Sequence, residues 1–425
     1  MSAEIAAIVG LAVMFIIATL LPINMGALAL LGACIIGWVS HMPAKDIFAG
    51  FPGDLFVTLV GITYLFAIAQ NNGTIDWLVR RAVWLVRGRI AAMPWVMFTV
   101  AGVLTSVGAV SPAAVAIIAP IALRLARKHD VNPLLMGLMV IHGAQAGGFS
   151  PLSIYGGITN QIVERAGLPP DDIALFLASL LFNFAIAVAI FLLFRAHGAA
   201  RRIDQHAQAA VVVDQSGAAD PQFQHSGLNL HRALTLMGLI ALGVGSLAFE
   251  LNVGLVAISV AVLLALLAPN AQKNAVNQVS WSTVLLITGV ITYIAVLQKV
   301  GAVDMVGNAV SNIGIPLLGA LLLCYTGGIV SAFASSVAVL GATIPLAVPF
   351  LLQGHIEPGG AVAAIAVSST IVDVSPFSTN GALVVANSQA VDKDHFYRQM
   401  LLYSALVVGI GPLLAWLVLI LPGWL

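Results

Sequence analysis

A helix needs roughly 17 to 25 mostly apolar residues to cross about 30 Å of hydrocarbon, and runs of about that length follow one another along the whole of this chain. They lie at residues 5–21, 24–40, 54–70, 172–194, 233–249, 252–269, 281–298 and 400–421. Among them are two hinged pairs of apolar limbs, 93–109 with 114–127 and 315–334 with 338–352, and two runs broken by polar residues, 133–165 and 360–388. No Lys or Arg falls in the middle of any of these segments. Of the 425 residues, 60% are hydrophobic and 8% charged, against about 25% charged in soluble domains. The pattern predicts an all-α polytopic membrane protein surrounded by a lipid bilayer.

Charge and cysteine exclude other classes. The 17 Lys and Arg equal the 17 Asp and Glu, so no basic excess points to a nucleic acid. Cys34 and Cys324 lie far apart in apolar runs, which leaves no disulfide framework and no cysteine metal site. The first run follows Met1-Ser2-Ala3-Glu4 without the positive flank of a secretory signal, and is expected to persist as a helix. No G-x-S-x-G elbow, H-E-x-x-H pair or pair of acids on one helix occurs, so an intramembrane enzyme is a distant alternative.

The order of segments occurs twice, and particular residues recur with it. Gly61, Gln70, Gly73 and Asp76 return 228 positions later as Gly289, Gln298, Gly301 and Asp304. Gly102, Ser106, Ser111, Pro120, Ser150, Pro151, Ser153 and Gly156 return 225 positions later as Gly327, Ser331, Ser336, Pro345, Ser375, Pro376, Ser378 and Gly381. Shared hydrophobicity does not preserve prolines at one offset, so the chain reads as a duplication. The first repeat is placed at 1–197 and the second at 229–425, joined by a polar, Ala/Gln/Gly-rich linker at 198–228 expected to be a loop.

Each repeat is expected to hold three spans, a hairpin returning to its own side, a broken helix and a closing span. That makes an odd number of crossings, so the second repeat is inverted relative to the first. With both termini outside, the cytoplasmic segments, the linker among them, hold 14 of the 17 Lys and Arg, leaving Lys45, Arg165 and Lys299 outside. That division follows the positive-inside rule. The basic stretch Asp76 to Arg89 is expected to form an interfacial helix against the cytoplasmic headgroups.

With no buried cation available, a bound anion must be held in another way. Four polar breaks fall near the expected midplane: Val110-Ser111-Pro112, Ser150-Pro151-Leu152-Ser153, Ser335-Ser336-Val337 and Ser375 to Asn380. Non-helical backbone at that depth must be buried in protein or line a wet cavity. Each hinge also starts a helix, with Ser111 suited to the N-cap, Pro112 to the first turn, and Ser335 or Ser336 to the equivalent cap. A helix start presents unpaired N–H groups that suit a carboxylate. Opposite helix ends, unwound carbonyls and hydroxyls suit a cation such as Na+. Asp373, whose repeat counterpart is Gly148, is the one acid placed well inside a span. Such an acid is a functional candidate, against the plainer reading that neighbours such as Thr370 satisfy it. His142 and Gln145, three residues apart on one helix, are possible lining residues, although a lone His is more often packed and hydrogen-bonded.

These residues resemble the ion transporter superfamily, which includes the divalent-anion:sodium symporters. The segments SPAAVAIIAP, GGFSPLSIYGG and DVSPFSTNGALV are most similar to the MatC-type dicarboxylate (malonate) carriers. The resemblance implies two inverted repeats, each with a re-entrant helical hairpin and a broken helix. It further implies a homodimer in a multi-pass inner (cytoplasmic) membrane location and elevator-type alternating access. Carried over by motif, the tips fall on Val110 to Pro112 and Ser335 to Val337, and the turns on Ser150 to Ser153 and Ser375 to Asn380. Neither tip carries the Asn of the symporter pattern.

The function expected is secondary active transport of a small dicarboxylate, malonate or a similar C3–C4 acid, coupled to Na+ or H+. The substrate residues expected are Ser111, Pro112, Ser335, Ser336, Ser153, Ser378, Thr379 and Asn380, with Asp373, Ser150 and Ser375 for the coupling cation. Beyond that ion, no metal or cofactor is expected. The rival is a cation:proton antiporter in which Asp373 alternates between proton and cation.

Overall fold

The computed structural model describes residues 2–85, 89–205, 228–302, 305, 316–333, 336–352, 356–388 and 393–423. Helices, with no strand among the described residues, make up the fold. In the first half they are α1 (Ala3–Leu20), α2 (Met25–Val39), the short α3 (Ala44–Phe48), α4 (Gly53–Asn71), α5 (Thr74–Leu85), α6 (Met93–Ser106), α7 (Ser111–Lys128), α8 (Pro133–Ala146), α9 (Ile154–Arg165) and α10 (Asp172–Gln205). In the second they are α11 (Leu230–Ala248), α12 (Val253–Leu267), the short α13 (Pro269–Gln272), α14 (Trp281–Lys299), α15 (Pro316–Ser331), α16 (Ser336–Leu351), α17 (Pro358–Ile371), α18 (Thr379–Ala386) and α19 (Lys393–Ala415).

The apolar runs of the sequence become helices, and among the described residues six helical segments are long and apolar enough to cross a membrane. The chain is a multi-pass membrane protein. Leu, Ile and Val side chains cover the outward faces of α1, α2, α11 and α12, as a helix facing lipid requires. α10 runs on to Gln205, past residue 198 where the loop was expected to begin; Ala and Arg there are good helix formers that extend the span. Of the linker, residues 206–227 lie outside the described residues.

Asparagines close several exposed starts. Asn24, Asn132 and Asn252 each accept from backbone N–H groups of the helix they precede, which satisfies donors that have no partner within the helix. Asn24 also donates to Ser282, tying α2 to α14.

Packing sorts the helices into two groups that ignore chain order. α2 lies on α14 and α4 on α12, so the opening spans of the two halves interlock. Glycine makes the contact possible: a Cβ on Gly289 would lie 2.1 Å from the Gly26 carbonyl oxygen, and one on Gly61 would lie 2.8 Å from that of Gly254. The two contacts correspond by the repeat offset, since Gly254 and Gly289 stand 228 positions after Gly26 and Gly61, and backbones this close favour helix association in lipid. The second group holds the hairpins and broken helices. Here α6 packs on α8 and α15 on α17 within each half, while α7 packs on α18 and α9 on α16 between halves. The crossed second pair brings both hinges to one place.

Candidate functional site

The breaks are built by serine. Ser153 caps α9 by accepting from Gly156 N–H at 3.2 Å, and its hydroxyl donates to the carbonyls of Gly148 and Ser150. Ser378 caps α18 in the same way, accepting from Gly381 N–H at 3.3 Å and donating to the carbonyls of Asp373 and Ser375 at 2.6 and 2.7 Å. A Cβ on Gly156 or Gly381 would fall 2.3 or 1.9 Å from the carbonyl oxygen of Ser150 or Ser375, so the turn closes only over glycine.

Within this frame the two halves meet at one carboxylate. Asp373, 4% exposed in a 3-10 turn (Val372–Val374) after α17, accepts from Ser336 Oγ at 2.6 Å, Gln145 Nε2 at 3.0 Å and Asn380 Nδ2 at 3.4 Å. Ser331 Oγ lies 2.8 Å from Ser336 Oγ, and Asn380 Nδ2 donates to Ser111 Oγ at 2.8 Å. A continuous polar group therefore joins the start of α7 to the start of α16 through Asn380 and Asp373. Tyr155 of α9 lies beside Ser111. The side-chain oxygens Gln145 Oε1 and Asn380 Oδ1 are buried without a partner, so two acceptors remain unused next to a carboxylate. Among the described residues no Lys or Arg bonds to Asp373. The arrangement can hold anionic groups at two helix starts, and it can hold a proton or cation at the carboxylate.

Several expected residues stand elsewhere. Val110 is the extended residue before α7, so Ser111 is already helical and Pro112 follows it in the first turn. Its hydroxyl makes no cap because it is engaged by Asn380. Ser153 and Ser378 are committed to their caps. Thr379 is exposed. Ser150 donates to the Ser106 carbonyl and accepts from Leu152 N–H, while Ser375 accepts from Phe377 N–H at 3.2 Å; neither reaches Asp373. Thr370 bonds back to the carbonyls of Ala366 and Val367 rather than to Asp373. Ser335 lies outside the described residues.

His142 turns away from the group its helix neighbour Gln145 joins. Its Nδ1 lies 3.0 Å from Asn183 Oδ1 and its Nε2 2.7 Å from Tyr403 OH. Asn183 donates to the Ser179 carbonyl at 3.0 Å, and Ser179 Oγ donates to the Gln145 carbonyl at 3.1 Å. The His142 ring is thus satisfied on both sides by α10 and α19, and it braces the helix that carries Gln145. Sequence reasoning missed Asn183, Tyr403 and Tyr155; an Asn in the middle of the apolar run 172–194 was the available signal. A cleft lined by Thr63, Phe66, Gln70, Val110, Ala113 and Gln278 reaches the first tip between α4 and α7.

Residues 1–148 match the family described as dicarboxylate carrier protein MatC N-terminus. The family resemblance holds. An uncharacterized transporter of Mycobacterium tuberculosis strain H37Rv, Rv2685, is 21% identical over 415 residues, covering 89% of this chain and 93% of the relative. A second from that strain, Rv2684, is 24% identical over 332 residues, covering 76% and 72%. The crystal structure of the Alcanivorax borkumensis YdaH transporter, described as having an unusual topology, superposes with a TM-score of 0.61 at 14% identity over 87% of this chain and 86% of that one. At that identity the likeness is one of fold.

Proposed function

We propose that the chain is a secondary active transporter of small dicarboxylates, malonate or a similar C3–C4 acid, and not an enzyme. The observation that carries this reading is the buried chain Ser111–Asn380–Asp373–Ser336, which links two helix starts and both halves of the sequence. Two helix starts offer N–H groups to two carboxylate ends, and the match of residues 1–148 to the MatC carrier family supports a dicarboxylate as substrate. A coupling cation, Na+ or H+, is assigned to Asp373. The two halves are read as inverted repeats in an inner membrane. The hairpins and broken helices would move as one body against the interlocked opening spans, in a homodimer.

Uptake of labelled malonate, succinate and malate into proteoliposomes, with and without sodium and pH gradients, tests the function. Counterflow of a labelled dicarboxylate supports it. Cation exchange for protons with no dicarboxylate movement would establish the antiporter instead, a rival favoured by the unpartnered Gln145 Oε1 and Asn380 Oδ1 beside Asp373. Orientation is checked by a cysteine at position 215: it should label from the cytoplasmic side alone, and labelling from outside in intact cells would remove the inverted arrangement.

A further inference from the structure

The two hairpin starts are equivalent by position but not by occupancy. At the start of α16, Ser336 donates to Asp373 and the Gln145 and Asn380 amides complete a three-donor cradle around its carboxylate. This is the set of donors a substrate carboxylate would seek there. At the start of α7 the corresponding serine is Ser111, which accepts from Asn380 Nδ2; Gly148 stands at the register of Asp373, and among the described residues no carboxylate bonds to Ser111. A dicarboxylate therefore meets one start that holds no carboxylate and one whose donors already hold Asp373.

We propose that Asp373 is the resident occupant of the second carboxylate subsite, so that a dicarboxylate binds only with a proton shared between its far carboxyl group and Asp373. The proposal rests on the dicarboxylate reading above and specifies its coupling ion. Two carboxylates in hydrogen-bond contact in a low-dielectric site do not both stay ionised. The proton comes from the solution on the loading side, is held between the two carboxyl groups, and leaves with the substrate on the other side; Asp373 then returns to its cradle as a carboxylate. One proton moves per dicarboxylate.

The unpartnered acceptors fit this exchange. Both amides present N–H to Asp373 and leave a buried carbonyl idle. A half-turn of either amide replaces a donor with an acceptor, so the same side chains can satisfy the ionised and the protonated carboxyl group. In the orientation seen, Asp373 is met by N–H and O–H donors alone, the set that suits an ionised carboxylate. The groups facing Asp373 are Ser336 of α16, Gln145 of α8, Asn380 of α18 and, more distantly, the Tyr155 phenol of α9. His142, also on α8, is bonded to Asn183 and Tyr403 instead.

The test measures proton and labelled malonate fluxes together in proteoliposomes that trap a pH indicator, together with malonate affinity as a function of pH. The parent should take up one proton per malonate without requiring sodium, and its affinity for the dianion should fall about tenfold for each pH unit above the titration of the pair. In Asp373→Asn the amide can donate directly to the far carboxylate, so the remaining malonate exchange should lose both the proton flux and that slope. A parent that needs sodium and moves no proton overturns the proposal, with or without a folded variant. So does an Asn variant with the parent's proton flux. If neither protein exchanges any dicarboxylate, the dicarboxylate reading itself falls and the proposal with it.

Discussion

Residues 148–156 and 373–381 build one turn twice, with the same serine caps and the same closing glycine, yet they present different chemistry to the middle of the molecule. The first turn carries Gly148 and Tyr155 where the second carries Asp373 and Asn380. The adjoining helices differ as well: α8 has His142 and Gln145 at the registers where α17 has Val367 and Thr370. The shared residues are those that shape backbone, and the divergent ones are those that set charge. The two helix starts converge through Asn380 and Asp373, and only the second turn carries an acid, while a bracing network of His142, Asn183 and Tyr403 holds the helix opposite. The two turns therefore differ in chemistry where they meet, with an acid in the second and none at the matching position of the first.

The strongest way to break the comparison is to remove what the turns share. Gly381→Ala places a methyl 1.9 Å from the Ser375 carbonyl oxygen, and Gly156→Ala places one 2.3 Å from that of Ser150. The atom met in each case is backbone, which cannot rotate aside, so overpacking should cost about 3 kcal/mol or more for each variant. Thermal unfolding in detergent should show a large drop for both; a loss in one alone would mean that the turns are not equivalent.

Next comes a difference between the halves. His142→Ala leaves Asn183 Oδ1 and the Tyr403 hydroxyl without their buried partner, at about 1 to 3 kcal/mol for each unsatisfied group. Val367→Ala, at the equivalent register, removes only apolar contact and should cost less, roughly 1 to 3 kcal/mol in total. Comparing the two denaturation midpoints sharpens the claim that α8 is held by polar bonds and α17 by packing; equal losses would contradict it.

The smallest effect is expected at the surface. Arg165, at the end of α9, pairs with Asp54 of α4 at 2.6 Å, with both side chains more than two-fifths exposed. Arg165→Gln should change stability by about 1 kcal/mol or less, measured in the same assay at low and high salt.

Much of this arrangement was legible in the sequence. Helix positions followed from apolar run lengths, and the breaks from Ser-Pro steps recurring at one offset. The pairings were not, because Gln145 and Asp373 are 228 residues apart and Ser111 and Asn380 are 269 apart. Periodicity cannot show which helix lies opposite when α8 is buried on every side from Leu134 to Ala146. For the same reason a three-residue spacing put His142 and Gln145 together, whereas they point to different neighbours. The caps formed by Ser153 and Ser378 were hidden as well, since a serine in a break suits a ligand or the backbone equally until its partners are known.

The central claim is that both hairpin starts hold one ligand, and a double-substitution cycle on dicarboxylate affinity tests it most directly. Ser111→Ala and Ser336→Ala each remove a hydroxyl from the shared group, which should weaken binding by roughly 1.5 to 3 kcal/mol, about tenfold to a hundredfold. Because the two serines are linked through Asn380 and Asp373, the combined loss should differ from the sum of the single losses by more than about 0.5 kcal/mol. Folded variants that bind the dicarboxylate as tightly as the parent would show that the hairpin starts do not form its site.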